Sequence, residues 1–179
     1  MKFLKWSIII ILTVVVLGTV VGLILPKDYD FNRSVVIDAP PEAIHAILDD
    51  LRRWPEWEPW KDADPTIEVT FGEKTTGVGA HQSWTSKDGK GELTITKSDP
   101  QSGIEFDMAF IMGEDKRIPS VGKLLFTKEG NQTRVTWSLK GNMDIPVVGG
   151  FLAATMDKAA GAEFEKGLAK LKRAVETKK

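Results

Sequence analysis

Apolar positions along the chain change period three times, and each change marks a different kind of element. Ser7 to Leu25 (SIIIILTVVVLGTVVGLIL) is apolar, uncharged and without a polar face, so it predicts a helix surrounded by lipid rather than by a folded core. Ser34 to Asp38 (SVVID) reads as a first short strand. Ala39-Pro40-Pro41 breaks it, and Pro41 suits the opening turn of a helix over Glu42 to Leu51, with Ile44, Ile47, Leu48 and Leu51 on one face. The prolines at 55 and 59 in RRWPEWEPW forbid a long helix there.

From Thr66 the period becomes two. Ile67, Val69 and Phe71 alternate with Glu68 and Thr70, and a strand follows near Ala80 to Ser86. Lys87-Asp88-Gly89 is a hairpin turn signal, and Leu93 and Ile95 mark the returning strand. The clearest alternation sets Ile104, Phe106, Met108, Phe110 and Met112 against Glu105, Asp107 and Ala109. Further strands run near Val121 to Lys128 and from Thr133 to Gly141, the last with Val135, Trp137 and Leu139 on one face. After Pro146 the helical period returns through Phe151, Leu152, Met156, Ala160, Phe164, Leu168, Leu171 and Val175. Basic residues crowd that helix's C-terminus, which suits the negative end of its dipole.

A sheet with one apolar face must cover that face, and only the final helix is long enough to do so. The expected architecture is therefore α+β, a curved antiparallel sheet of about seven strands wrapped around a long C-terminal helix. Where side chains fail to fill the space between them, a cavity remains.

Composition narrows this without changing it. The 179 residues are 42% hydrophobic and 27% charged, which is ordinary for a globular chain. The expected division is an anchor at 1–26, a short linker at 27–31, one domain at 32–176 and a basic tail at 177–179. The formal charge of -1 offers no electrostatic footprint for nucleic acid. The chain has no cysteine, which removes disulfides, thiolate nucleophiles and sulfur-ligated metals.

The N-terminal run would span about 28 Å as a helix, close to the hydrocarbon thickness of a bilayer. Trp6 sits at its edge, Pro26 closes it, and no A-x-A-like cleavage site ends it. It reads as a single-pass anchor. Lys2, Lys5 and the terminal amine precede the span, whereas Lys27 and Arg33 follow it. That balance puts the N-terminus in the cytoplasm and the domain in a periplasmic or extracytoplasmic space, close to the membrane surface.

The stretch VVIDAPPEAIHAILDDLRRWPEWEPW (residues 35 to 60) resembles bacterial members of the SRPBCC superfamily of polyketide-cyclase and START-like domains. The superfamily includes the plant pollen-allergen fold and coenzyme-Q-binding proteins. Gly77-Val-Gly79 and the helix beginning near Pro146 fit the same pattern, and the resemblance covers about residues 32 to 176. It implies a helix-grip fold. It carries over no catalytic motif, since members bind, carry, cyclise or dock.

The candidate ligand-cavity residues are Gln82, Trp84, Phe106, Met108, Phe110, Leu124, Phe126, Trp137, Phe151, Met156 and Phe164. Aromatic and methionine side chains shape adaptable apolar cavities, although each would also suit a plain core. Glycines at 149, 150, 161 and 167 thin the last helix and suggest room kept beside it or a bend tolerated. Trp54, Trp57, Trp60 and Arg117 are candidates for a lid or rim, a packed corner being the competing reading for the tryptophans. His45 is expected on the solvated side of its helix and His81 at a surface strand position. Two isolated histidines make no zinc site, and no serine stands in a nucleophile elbow.

No cofactor and no catalytic residue are expected. The anticipated partners are a hydrophobic small molecule or lipid and the membrane reached through the N-terminal helix, with no nucleic acid and no protein partner indicated. The leading function is tethered binding of a lipid, quinone or polyketide-like molecule. The alternatives are a cyclase or dehydratase, which would need His81, Glu92 or Asp107 inside the pocket, and a docking module with a filled core.

Overall fold

Alternation between Glu68 and Asn142 becomes six consecutive antiparallel strands, and a seventh joins the sheet from the N-terminal side. The structure is a computed structural model describing residues 2–87, 89–113 and 116–177. Asp88 of the expected hairpin turn, Glu114 and Asp115, and residues 178–179 of the tail lie outside the described residues. The order is α1 (Lys2–Ile24), β1 (Asp28–Ile37), α2 (Pro41–Leu48), a 3-10 helix (Leu51–Glu56), α3 (Trp60–Ala63), β2 (Glu68–Phe71), β3 (His81–Ser86), β4 (Gly89–Asp99), β5 (Gly103–Met112), β6 (Lys116–Glu129), β7 (Gln132–Asn142) and α4 (Gly149–Glu176). Within the sheet the order is β1-β7-β6-β5-β4-β3-β2. This is the expected seven-stranded curved sheet with its long C-terminal helix.

Two boundaries differ from expectation. The first strand begins at Asp28, not Ser34, and pairs with β7 along its whole length. Tyr29 and Phe31 are buried between exposed Asp28, Asp30 and Asn32. The acidic alternate positions made this segment look like linker, whereas they only mark the outer face of an edge strand. The connection from α1 to the sheet thus shrinks to Leu25, Pro26 and Lys27. Likewise β6 starts at Lys116, where it pairs with Met112, rather than near Val121.

The core forms where the inner face of the sheet meets the helices. Phe31, Ile37, Ile104, Phe106, Leu124, Val135, Trp137 and Leu139 face Phe164, Leu168, Leu171 and Val175 of α4 and Ile44, Ile47 and Leu48 of α2. Each large side chain so buried contributes roughly 1.5–3 kcal/mol. α4 runs along β1 and touches β7. Its C-terminal end is tied down where Lys172 donates to the Val36 carbonyl at 2.9 Å and the Asp38 N–H donates to Glu176 at 2.8 Å.

The helix glycines mark close approach rather than room. A Cβ at Gly167 would come within 2.9 Å of the Trp137 ring and 3.1 Å of Pro59, and Gly161 seats the Arg33 guanidinium. That guanidinium pairs with Asp157 and Glu165, each at 2.8 Å. Among the described residues, one helix, spanning Phe3–Ile24, is long and apolar enough to cross a membrane. Its length and composition suit a signal sequence equally.

Candidate functional site

The middle of the grip is filled by rings. Trp137 of β7 stacks on Phe164 of α4, with Phe31 tilted against Phe164 at 5.1 Å. Trp57 meets Trp137 edge-on at 5.2 Å, and Trp54 meets both Trp57 and Phe106 in the same manner. Among the expected cavity residues, Phe106, Leu124, Trp137 and Phe164 are therefore core. Trp54 and Trp57 belong to this core as well and form no lid. The short 3-10 helix with Pro55 inside turns the chain back under the sheet, and the Trp54 indole N–H donates to the Leu48 carbonyl at 2.9 Å. The indole N–H groups of Trp57 and Trp137 are buried without an acceptor among the described residues.

Beyond this plug the inner face opens. Trp84, Met108 and Phe110 point to the same side as Phe106 but are only half-buried, as are Trp60 and Met156 at the edge of the core. Trp84 and Phe110 meet edge-on at 5.8 Å. Gly91 lies between them in the ladder, and a side chain there would collide with the Trp84 ring. Gln82 is buried beside them on β3. Trp84, Met108, Phe110 and Gln82 thus form a strip at one end of the inner face of β3 to β5, whose other end, with Ile95, Ile104 and Phe106, is buried.

Register fixes which end of the molecule this half-buried strip occupies. Trp84 pairs with Gly91, Gly91 with Phe110, and Phe110 with Ile118. Two residues along β6, Ser120 pairs with Gly141, which pairs with Tyr29 at the start of β1. The strip is thus level with the chain's exit from α1. Phe126 is half-buried at the opposite end of β6, and Phe151 is exposed beside α1, so neither belongs to this strip.

The ionisable candidates face elsewhere. Arg117 is on the outer face of the sheet, paired with Glu92 rather than placed at a cavity mouth, because the period-two alternation of β6 turns odd positions outward. That pairing holds the Glu92 carboxyl below its ordinary range. Asp107 is exposed on the same face, and His81 is bonded through Nδ1 to Thr94 at 3.0 Å. Glu92, Asp107, Arg117 and Lys140 line a shallow outer cavity of about 530 Å³.

His45 is not solvated as expected. Its Nε2 lies 2.8 Å from Ser98 Oγ and 3.7 Å from Asp49, and Ser98 in turn donates to Asp49. Serine and aspartate crowd one ring nitrogen, so the aspartate does not orient the imidazole from its far side as a hydrolase triad requires. Among the described residues, no group of three or more His, Cys, Asp and Glu is placed to hold a metal ion.

Two buried polar features were not singled out from the sequence. Tyr29, the single tyrosine in the chain, lies with its hydroxyl 2.6 Å from Ser120 Oγ under the open end of the grip, and burial pushes its pKa up. The alternation of Tyr29 with Phe31 was the available signal. Glu58 is buried next to Trp57, and desolvation raises its carboxyl against the opposing pull of Lys170 and Lys61. No sequence pattern distinguishes Glu58 from its neighbour Glu56.

Comparison with known proteins agrees with this architecture. A profile of the family described as polyketide cyclase / dehydrase and lipid transport matches residues 29–176. A structure from Chromobacterium violaceum shares 15% identity at a TM-score of 0.58, covering 83% of this chain and 98% of that one. One from Thermus thermophilus shares 21% identity at 0.56, with coverage of 83% and 98%. One from Helicobacter pylori reaches 0.61 at 10% identity, covering 83% of this chain and 87% of the other. At these identities the likeness concerns the fold. No curated protein matches the sequence. Because the profile runs from the start of β1 to the end of α4, the chain belongs to the polyketide cyclase/dehydrase and lipid transport family.

Proposed function

We propose that this protein is a membrane-tethered binder that takes a hydrophobic small molecule, a lipid, quinone or polyketide-like compound, into the cleft of Trp60, Trp84, Met108, Phe110 and Met156. Family membership supports a ligand-binding or cyclase-type role. The observation that carries the finer reading is positional. The half-buried apolar strip sits at the end of the sheet where α1 enters, so a ligand leaving the bilayer would meet the open end first. In this reading α1 is the anchor, its N-terminus is cytoplasmic and the domain lies outside. Gln82 supplies the hydrogen bond that orients a carbonyl or hydroxyl in an otherwise apolar site.

The cyclase or dehydratase alternative draws on ionisable groups, and His81, Glu92 and Asp107 do not line the cleft. The test uses the full chain in lipid nanodiscs, with quinones and fatty acids titrated against tryptophan fluorescence. A parallel titration of Met108→Trp, which fills the cleft, separates cleft binding from partition into the surrounding lipid. Saturable quenching lost in Met108→Trp supports the reading. Equal responses from both proteins sink it.

A further inference from the structure

The last turn of α1 does not leave the domain freely. Gly22 lies against the Val147 carbonyl so closely that a Cβ there would collide with it, and that Cβ would sit 2.8 Å from the Phe151 ring. In return, Gly150 in the first turn of α4 lies against Leu25. Gly22 is the one fully buried position among the described residues of α1. Val147 adopts a φ of 65°, a left-handed conformation that a β-branched residue takes only when its surroundings impose it. The turn is held by the Met143 N–H donating to the Lys27 carbonyl at 2.8 Å and by the Lys27 ammonium on Asp144 at 2.8 Å. Just beyond it, Val148, Phe151 and Leu152 are 48%, 43% and 41% exposed.

We propose that this first turn of α4 is a second membrane contact, with Val148, Phe151 and Leu152 entering the headgroup boundary of a phospholipid bilayer beside α1. The inference rests on the anchor reading of α1. Gly22 is inside the apolar span Phe3–Ile24, two residues from its end, which is about 3 Å along a helix axis. A side chain that touches Gly22 shares its depth. Phe151 therefore lies at the lipid boundary whenever Gly22 does, and the exposed Val148 and Leu152 extend the same apolar surface. Lys27 and Lys116 both reach Asp144 at this level, where cations suit the phosphate layer. With two contacts the domain cannot swing on its three-residue connection, and the open end of the grip is held toward lipid.

The chain lacks cysteine, so single cysteines can be labelled cleanly. Full-length Val148→Cys, Leu152→Cys, Leu12→Cys and Thr127→Cys, each with an environment-sensitive fluorophore, are placed in vesicles of phosphatidylcholine and phosphatidylglycerol. Quenching by lipid-borne nitroxide is compared with quenching by aqueous iodide. Circular dichroism checks that each variant folds, and two labelled positions in the turn guard against the failure of one. The expected result is loss of fluorescence to the lipid quencher at positions 148, 152 and 12, and loss to iodide at 127. If position 12 responds to lipid while 148 and 152 respond only to iodide, the second contact is overturned and the anchor stands. If position 12 also responds only to iodide, the anchor reading falls and the inference falls with it.

Discussion

Trp137 lies flat on Phe164, their ring centroids 3.7 Å apart and their planes 9° from parallel. This contact joins the last strand to the long helix in the middle of the core. Truncating Phe164 to alanine should remove the platform and cost about 3–5 kcal/mol of stability. Urea unfolding of the full chain in nanodiscs, followed by tryptophan fluorescence, measures it. A loss below about 1 kcal/mol would mean the stack is incidental to the core.

The helix glycines provide a contrast in sign. Gly167→Ala forces a methyl against the Trp137 ring and Pro59, neither of which can swing away. It should destabilise by about 1–3 kcal/mol despite the better helix propensity of alanine. At Gly161 the obstacle is the mobile end of Arg33, so Gly161→Ala should be close to neutral, or stabilising by up to about 1 kcal/mol. Equal effects from the two substitutions would contradict the packing described.

Burial pushes the Glu58 carboxyl above its ordinary value of 4.5. The folded chain then holds a proton that the unfolded chain has already released, so folding is favoured at low pH. The stability contributed by Glu58 is full below pH 4.5 and is lost as the pH rises through the higher folded pKa. Glu58→Gln should raise stability at neutral pH, and the difference from wild type should vanish toward acid. Denaturation curves over a pH series check this, and a difference independent of pH would sink it.

The buried hydroxyl pair of Tyr29 and Ser120 should behave as a coupled unit. Tyr29→Phe leaves the serine without its partner and should cost about 1–3 kcal/mol, whereas the double change Tyr29→Phe with Ser120→Ala should cost less than the sum of the two. Additive losses in a double-mutant cycle would show that the contact contributes nothing of its own.

At the cleft, Met108→Trp should weaken binding of an apolar ligand at least tenfold, about 1.4 kcal/mol, with little change in unfolding midpoint because Met108 is only half-buried. Fluorescence titration beside urea unfolding separates the two effects. Loss of binding together with loss of stability would show instead that Met108 is core.

Periodicity alone was enough for the helix-grip order, because the two-residue alternation of β5 and β7 and the three-to-four spacing of α4 each record which face meets the core. Trp84, Met108, Phe110 and Met156 could be named as inner-facing for the same reason. Whether an inward side chain fills a core or lines a cleft depends on what arrives from the opposite element, and one strand's alternation contains no information about that. Hence Phe106 and Met108, neighbours on one face with the same pattern, end up sealed and half-open respectively. The alternation of Asp28 to Asn32 was masked by its acidic residues, although those charges are what an edge strand shows to water, while Arg33 turns inward to Asp157 and Glu165 of α4. The tryptophans at 54 and 57 required the path of a proline-interrupted turn.

The sequence by itself determined the apolar N-terminal helix, the strand and helix order and the inward set of residues, since all of these follow from local period and composition, while the stretch at residues 35 to 60 carried the family resemblance. Only the tertiary structure decided that Trp57 and Trp137 plug the middle, that Arg117 faces outward to Glu92, and that the half-buried strip of Trp84, Met108 and Phe110 shares one end with α1. Those outcomes depend on strand register and on the packing of α4 along β1, contacts between residues far apart in the chain whose geometry no local pattern encodes.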